Sequence, residues 1–430
     1  MLQINWADVA NVLTQVAPHL VVIAIALIAA IVVTVAAMKA PKNSKGLIRG
    51  SAWVAAVLVI LIVVNLICTG PMATLLTSVA GKPVSKIDDA TTAEATELVT
   101  EICREGITLL KDEDSILPLQ NKKINVFGWS ATNPCYGGTG SGALNTAYPT
   151  VTFLDALKSS NIEYNQELID FYTNYHDNSL PNVSMWNQDW PLPQPGADLY
   201  SSELINNAKS FSDTAVIFIS RVGGEGADLP MDMTALVNGT YKADSAMSYN
   251  DSVNAGNDWD AGDTYLNLSN PEEEMVELVC ENFDNVIVIY NSANAFELGF
   301  IDEYDSIKGA LWCPGTGQAG FTALGEILAG DVNPSGHLVD TYVYDLTAIP
   351  SFNNIGYMLY DNMDEHAYKS TNFMTQEEVT TLPAFVNYVE GIYVGYKFYE
   401  TAAAEGLINY DEVVQYPFGY GLSYTTFDQE

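Results

Sequence analysis

Two long apolar runs open the chain, and beyond them apolar and polar positions alternate at strand and helix periods. Leu20 to Met38 and Ala52 to Cys68 are uncharged and rich in Val, Ile and Ala. Each is close to the roughly 20 residues that a helix needs to cross a bilayer, and neither has the polar face of an amphipathic core helix. The pattern predicts a two-helix transmembrane hairpin over residues 1–70, a tether over 71–90 and a folded region over 91–430. At the start of that region Thr91–Glu105 reads as an amphipathic helix. Ala95, Leu98, Val99 and Ile102 share one side, and Gly106 ends it. Strand patterns follow at Ile107–Leu110, Ile124–Phe127, Thr214–Ile219, Val286–Tyr290 and Ile307–Trp312. Between and after them lie helix patterns at Val151–Lys158, Gln166–Tyr175, Glu203–Phe211, Pro271–Phe283 and Gln318–Ala329. Asn270-Pro271-Glu272-Glu273-Glu274 is a helix start, with Asn as cap, Pro in the first turn and carboxylates at the positive end of the dipole. Strands that alternate with helices predict an α/β fold, a mostly parallel sheet sandwiched by helices.

Two stretches interrupt the alternation. Asp177 to Leu199 is rich in Pro, Asn, Asp and Trp, and Leu229 to Leu268 is long and polar. Loops of that length in a compact domain are usually lids or insertions. Both flank the strand Thr214–Ile219, which runs into Ser220-Arg221-Val222-Gly223-Gly224-Glu225-Gly226-Ala227-Asp228-Leu229-Pro230. The glycines end the strand abruptly and leave Glu225 at the tip of a loop. In open α/β sheets ligands bind at the carboxyl ends of the strands, so this carboxylate is well placed for chemistry.

Charge sharpens the division of the chain. The formal net charge is −36, which argues against nucleic acid because a phosphate backbone would be repelled. Residues 1–71 hold four cations, Lys39, Lys42, Lys45 and Arg49, and one carboxylate, Asp8, while the remainder holds 13 basic and 52 acidic residues. All four cations lie between the two apolar runs. Cytoplasmic loops collect Lys and Arg, so both ends of the hairpin, and the acidic region after it, are expected outside the cell. A signal peptide would have a basic residue before its apolar core, and here none precedes Lys39.

The candidate chemistry narrows by elimination. Gly137 to Gly142 lacks the Gly-Lys-Ser/Thr ending of a phosphate loop, and Ser141 lacks the flanks of a nucleophile elbow. Asp258 to Asp263 resembles a calcium loop without its closing Glu. The four histidines, His19, His176, His337 and His366, have no zinc spacing, so neither a metal nor a cofactor is expected. Of the five cysteines, Cys68 lies in the second apolar run; Cys103, Cys135, Cys280 and Cys313 read as small buried hydrophobes rather than a disulfide framework. Carboxylates remain. Hydrolysis of a glycosidic bond needs two of them, one protonated to assist the departing oxygen and one ionised as nucleophile or base.

Several motifs together resemble the C-terminal α/β sandwich domain of glycoside hydrolase family 3, the β-glucosidase-type enzymes. They are Glu105 to Asp112 with Leu117-Pro118-Leu119, the glycine turn Gly137 to Gly142, Ile219 to Asp228, Cys313 to Gly320, Gly330 to Leu338, Tyr388 to Tyr396 and Tyr416 to Tyr424, in the family's order. The resemblance runs from about Ala93 to Phe427. It implies that Glu225 is the catalytic acid/base of a retaining enzyme acting on a β-glucoside or oligosaccharide, with Asp228 beside it as a substrate-binding residue. In this family the nucleophilic Asp belongs to a separate (β/α)8 barrel, and nothing like that barrel occurs in this sequence. Asp189-Trp190 and Asp258-Trp259 lie in the irregular stretches and are poor substitutes. The order of anchor and domain resembles the front half of a domain-inverted member, with the barrel expected in cis or in trans. The rival expectation is a membrane-tethered carbohydrate-binding or scaffold domain without catalysis.

Overall fold

The computed structural model describes residues 6–73, 76, 87–138, 142–145, 148–175, 182–184, 187–225, 228–241, 249–352, 362–371, 378–383 and 388–426. The chain divides into two compact units, residues 1–89 with 369–381, and residues 90–368 with 382–430. Most of the expected tether lies outside the described residues.

In the first unit α1 (Trp6–Ala36) and α2 (Lys42–Thr69) pack on each other around the turn at Pro41. Arg49 Nε donates to the Thr34 carbonyl and Trp53 Nε1 to the Thr34 hydroxyl, both at 3.1 Å, which pins the base of the hairpin. The buried positions Ala30, Ala37 and Ala56 are small, as close approach of two helices requires. Leu20, Ile25, Ile28, Leu58, Leu61 and Ile62 are exposed. Val16–Lys39 and Lys42–Thr69 have mean hydropathies of 3.2 and 2.7 and are long and apolar enough to cross a membrane.

From α3 (Asp89–Gly106) onward the alternation becomes an α/β/α sandwich. Its sheet contains β1 (Thr108–Asp112), β2 (Lys123–Phe127), β3 (Glu163–Tyr164), β4 (Thr214–Ser220), β5 (Asn285–Asn291) and β6 (Ile307–Cys313). Their order is β1-β6-β5-β4-β2-β3. Strands β2 to β6 are parallel to their neighbours, while β1 runs antiparallel to β6. The sheet is therefore mixed rather than uniformly parallel. β1 follows directly from α3 and has no crossover to reverse its direction, and its outer side is bridged by Leu422, whose N–H donates to the Leu109 carbonyl at 2.8 Å.

Strand alternation divides the core. Ala215, Ile217 and Ile219 face one side of β4, where they join α5 (Gln166–Tyr175), α6 (Ser202–Phe211) and α7 (Asn270–Asn282) through Tyr172, Ala208 and Met275. Val216 and Phe218 face the other side and join α4 (Phe153–Ser159) and α8 (Phe321–Ala329). There Phe153, Phe218 and Phe321 form a ring cluster with centroids 4.7 to 6.3 Å apart. Each ring so buried contributes about 1.5–3 kcal/mol through removal from water.

The cap of α7 is a correction to the sequence reading. Ser269, not Asn270, accepts from the backbone, and the Glu272 side chain returns a bond to the Ser269 N–H in a capping box. Asn270 instead donates to Asn257 and Asp260. The two irregular stretches also differ from simple lids. Asn182–Ser184, Asn187–Asp189 and Tyr249–Asn250 build a small sheet, and Trp190, fully buried, stacks on Tyr249 at 5.9 Å.

Phe218→Ala is expected to cost about 3–5 kcal/mol, the usual penalty for emptying a fully packed aromatic site. Urea denaturation of the protein in detergent, followed by tryptophan fluorescence, measures it; a loss under 1 kcal/mol would contradict the packing described.

Candidate active site

Strand order fixes where a ligand crevice should open. The chain leaves β2 for β3 on one side, then crosses back to β4 on the other, so the topological switch point lies between the carboxyl ends of β2 and β4. The loops that leave these two strands meet there. A Cβ at Gly138 would stand 3.2 Å from the Gly223 carbonyl oxygen and 3.5 Å from the Gly224 Cα. A third glycine segment, from β6, joins them: a Cβ at Gly315 would stand 3.2 Å from the Gly137 Cα, and the Gly317 N–H donates to the Tyr136 carbonyl at 2.6 Å. Residues 139–141 of the glycine turn, and Gly226 and Ala227, lie outside the described residues.

Glu225 follows Gly223 and Gly224 directly and is exposed on the β4 loop, and Asp228 is exposed three positions on. The loop lines two cavities. One, of about 270 Å3, occupies the switch point, with Trp129, Tyr136, Gly138, Ser220, Val222 and Tyr265 in its wall. The other, of about 350 Å3, is lined by Gly223, Gly224, Asp228, Leu229, Asn294 and Phe352 among others. The Asp228 carbonyl accepts from the Tyr249 hydroxyl at 3.0 Å, so the second irregular stretch touches the loop.

The root of the loop is anchored by Arg221, a residue the sequence reading passed over. Its side chain is fully buried. Nε donates to the Tyr265 carbonyl at 2.8 Å. Nη1 donates to the Ser220 carbonyl at 3.0 Å and to Glu272 at 2.9 Å, and Nη2 to the Asn267 carbonyl at 2.7 Å and to Glu272 at 2.6 Å. The guanidinium also lies 4.8 Å from the Phe296 ring centre. Burial, the largest single influence, works against its charge, but the charge and hydrogen bonds of Glu272, with Tyr265 and Tyr290 adding to them, together hold the group above its ordinary value. The five donors are thus engaged, and the loop that carries Glu225 is tied to the amino end of α7.

Other candidates are structural. Asp189 accepts from the Ser252 N–H and hydroxyl at 2.9 and 2.6 Å, and Asp258 from the Ala255 N–H at 2.7 Å. Both carboxylates hold the small sheet and its turns together. Asp263 accepts from the Asp260 N–H at 2.7 Å, as a turn carboxylate does. Among the described residues no group of three or more His, Cys, Asp or Glu is arranged to hold a metal ion. The Cys135 thiol, in the wall of the smaller cavity, is pushed by burial up to about 11 and stays protonated, which disfavours thiolate chemistry. Cys103, Cys135, Cys280 and Cys313 are free thiols, Cys103, Cys135 and Cys313 buried and Cys280 partly so.

Fold and site together define an α/β sandwich with a glycine-framed carboxylate loop at its switch point. The chain belongs to the glycosyl hydrolase family 3 C-terminal domain family, which its residues 107–396 match. Beta-glucosidase A of Butyrivibrio fibrisolvens is 32% identical over 336 residues, which are 77% of this chain and 35% of the relative. The beta-glucosidase of Ruminococcus albus is 28% identical over 337 residues, 78% of this chain and 29% of the relative. Beta-glucosidase 3B from Thermotoga neapolitana, solved in complex with alpha-D-glucose, superposes with a TM-score of 0.55 at 26% identity, covering 85% of this chain and 43% of that one. The chain thus spans 35% or less of the length of the two sequence relatives.

Glu272→Ala would leave the Arg221 charge buried without its counter-charge and is expected to destabilise the protein by about 3–5 kcal/mol. The double change Arg221→Met with Glu272→Leu should cost less than Glu272→Ala alone. Denaturation midpoints of the three variants decide, and equal losses in single and double variants would remove the coupling.

Proposed function

We propose that this chain is the membrane-anchored, acid/base-bearing half of a retaining β-glycosidase of β-glucosidase type, which hydrolyses terminal β-linked sugars. The observation that carries it is the position of Glu225, on the loop that lines the switch-point cavity of a family 3 sandwich whose relatives are named beta-glucosidases. In the first half-reaction the Glu225 carboxylic acid protonates the departing glycosidic oxygen while a carboxylate nucleophile attacks the anomeric carbon. In the second the Glu225 carboxylate takes a proton from the water that displaces the sugar from the nucleophile. Asp228, which lines the neighbouring cavity, helps to bind the sugar. The nucleophile comes from a (β/α)8 barrel, in cis on a longer polypeptide or in trans. Two facts support an outside source: Asp189 and Asp258 are engaged elsewhere, and the relatives extend well beyond the matched segment. No metal or cofactor takes part.

Residues 1–70 form the two-span anchor, 71–90 the tether and 91–430 the sandwich domain. The Lys39 to Arg49 turn lies on the cytoplasmic side and the acidic domain on the extracellular side. The support is the charge asymmetry and the two long apolar helices. Protease added to intact cells is expected to remove the domain and spare the turn. Protection of the whole domain would reverse the orientation.

Purified alone, the chain should not turn over an aryl β-glucoside. Assembled with the nucleophile-bearing barrel, Glu225→Ala should lose on the order of 10²–10⁴ in rate on substrates with poor leaving groups. Departure of an activated aryl group, which needs little protonation, should be largely spared. Azide, which needs no base, should then restore turnover and yield the β-glycosyl azide. Asp228→Ala should lack that rescue. Azide rescue of Asp228→Ala instead of Glu225→Ala would make Asp228 the proton carrier and overturn the assignment to Glu225.

A further inference from the structure

One buried side chain joins the carboxyl ends of four strands, and the chemistry above makes no use of it. Asn291 closes β5 and has no exposed surface. Its Oδ1 accepts from the Cys135 N–H at 2.7 Å and from the Ser220 hydroxyl at 2.9 Å. Its Nδ2 donates to the carbonyls of Cys135, Cys313 and Pro314 at 3.1, 3.2 and 3.1 Å. The carbonyls can only accept and the Cys135 N–H can only donate, so only this amide orientation suits them, its two N–H groups being shared among the three carbonyls. The partners sit at the roots of three loops. Cys135 leads into Gly137–Gly138, Ser220 into Gly223–Gly224, and Cys313–Pro314 into Gly315. A residue needed only to end its own strand would bond its own turn; Asn291 bonds segments that follow β2, β4 and β6.

We infer that Asn291 is a positioning residue, which locks the three glycine loops into one unit and so sets where Glu225 stands. The locking is a property of this chain alone, whereas its catalytic consequence rests on the reading of Glu225 as acid/base. Displacement of a catalytic group by about 1 Å can cost on the order of 10²-fold in rate, so a lock of this kind has leverage on turnover.

Two measurements test it. The first is hydrogen–deuterium exchange of the full chain in detergent, wild type against Asn291→Asp and Asn291→Ala. Asn291→Asp keeps the shape and the acceptor but turns a carboxylate oxygen towards the three carbonyls. Amides of residues 135–138, 221–225 and 315–318 should exchange about tenfold faster or more, all together, while the interiors of β4 and β5 keep their protection. Loosening confined to 135–138, or spread equally over the strands, would overturn the lock. The second measurement uses the chain assembled with its barrel. Both Asn291 variants should slow substrates with poor leaving groups by about 10- to 100-fold and an activated aryl glucoside by less than about threefold, in parallel with Glu225→Ala. Equal slowing of both substrates would mean a structural role only. Should Glu225→Ala itself show no leaving-group dependence, the acid/base reading fails while the exchange result still decides the lock. If the Asn291 variants do not fold, Ser220→Ala deletes the side-chain bond from the Glu225 strand to the Asn291 amide and carries both measurements, with loosening expected at 221–225.

Discussion

A guanidinium with no contact with water is tolerated only where every N–H finds an acceptor and the charge a partner, and much of the site follows from meeting that demand at Arg221. The demand draws in Glu272, whose carboxylate accepts from both terminal nitrogens of the guanidinium, and the capping box with Ser269 holds it. It fixes the turn at Tyr265 and Asn267, whose carbonyls accept from the same group. The loop that begins one residue later therefore starts from a rigid point, and its glycines can approach the neighbouring loops without carrying the burden of order themselves. A flexible-looking sequence is mounted on an inflexible root.

Local pattern gave the sandwich away because its strands are short apolar blocks bounded by glycines and asparagines, and its helices carry clear faces. Thr214–Ile219 and Gln166–Tyr175 were legible for that reason. Pairing direction was not, since nothing in Thr108–Asp112 distinguishes a parallel from an antiparallel neighbour, and Glu163–Tyr164 is too short for any periodicity. The small sheet that joins Asn187–Asp189 to Tyr249–Asn250 depends on a pairing across about 60 positions, which local composition does not encode. In the site, Glu225 was legible from its glycine frame. Arg221 and Asn291 were not: a charged or amide residue at the end of a strand normally signals a turn to solvent, and the partners that keep them inside are distant in sequence. The clue available was that both interrupt or close an otherwise apolar run.

The acidic surplus of the chain is kept apart from the crevice. The residues that line the switch-point cavity are uncharged, and its walls are aromatic, aliphatic and amide in character. A roomier cavity, of about 670 Å3, is instead lined by Asp260, Asp263, Glu273, Glu274, Glu277, Glu297 and Glu303 among others. Burial pushes the carboxyls of Asp263, Glu273 and Glu297 up, and their acidic neighbours add to it. A neutral crevice in an acidic body suits a ligand that brings no charge of its own.

Both margins of the main sheet are closed to recruitment. On one side β1 already has its outer backbone engaged by Leu422, and on the other β3 offers only two residues. Among the described residues, a strand from another molecule finds no long row of unpaired amides to extend at the margins of this sheet. Crowding of many copies on a surface would therefore not propagate this sheet from one molecule to the next, and a polypeptide that docks on its margins has to do so through side chains and loops rather than through backbone complementarity.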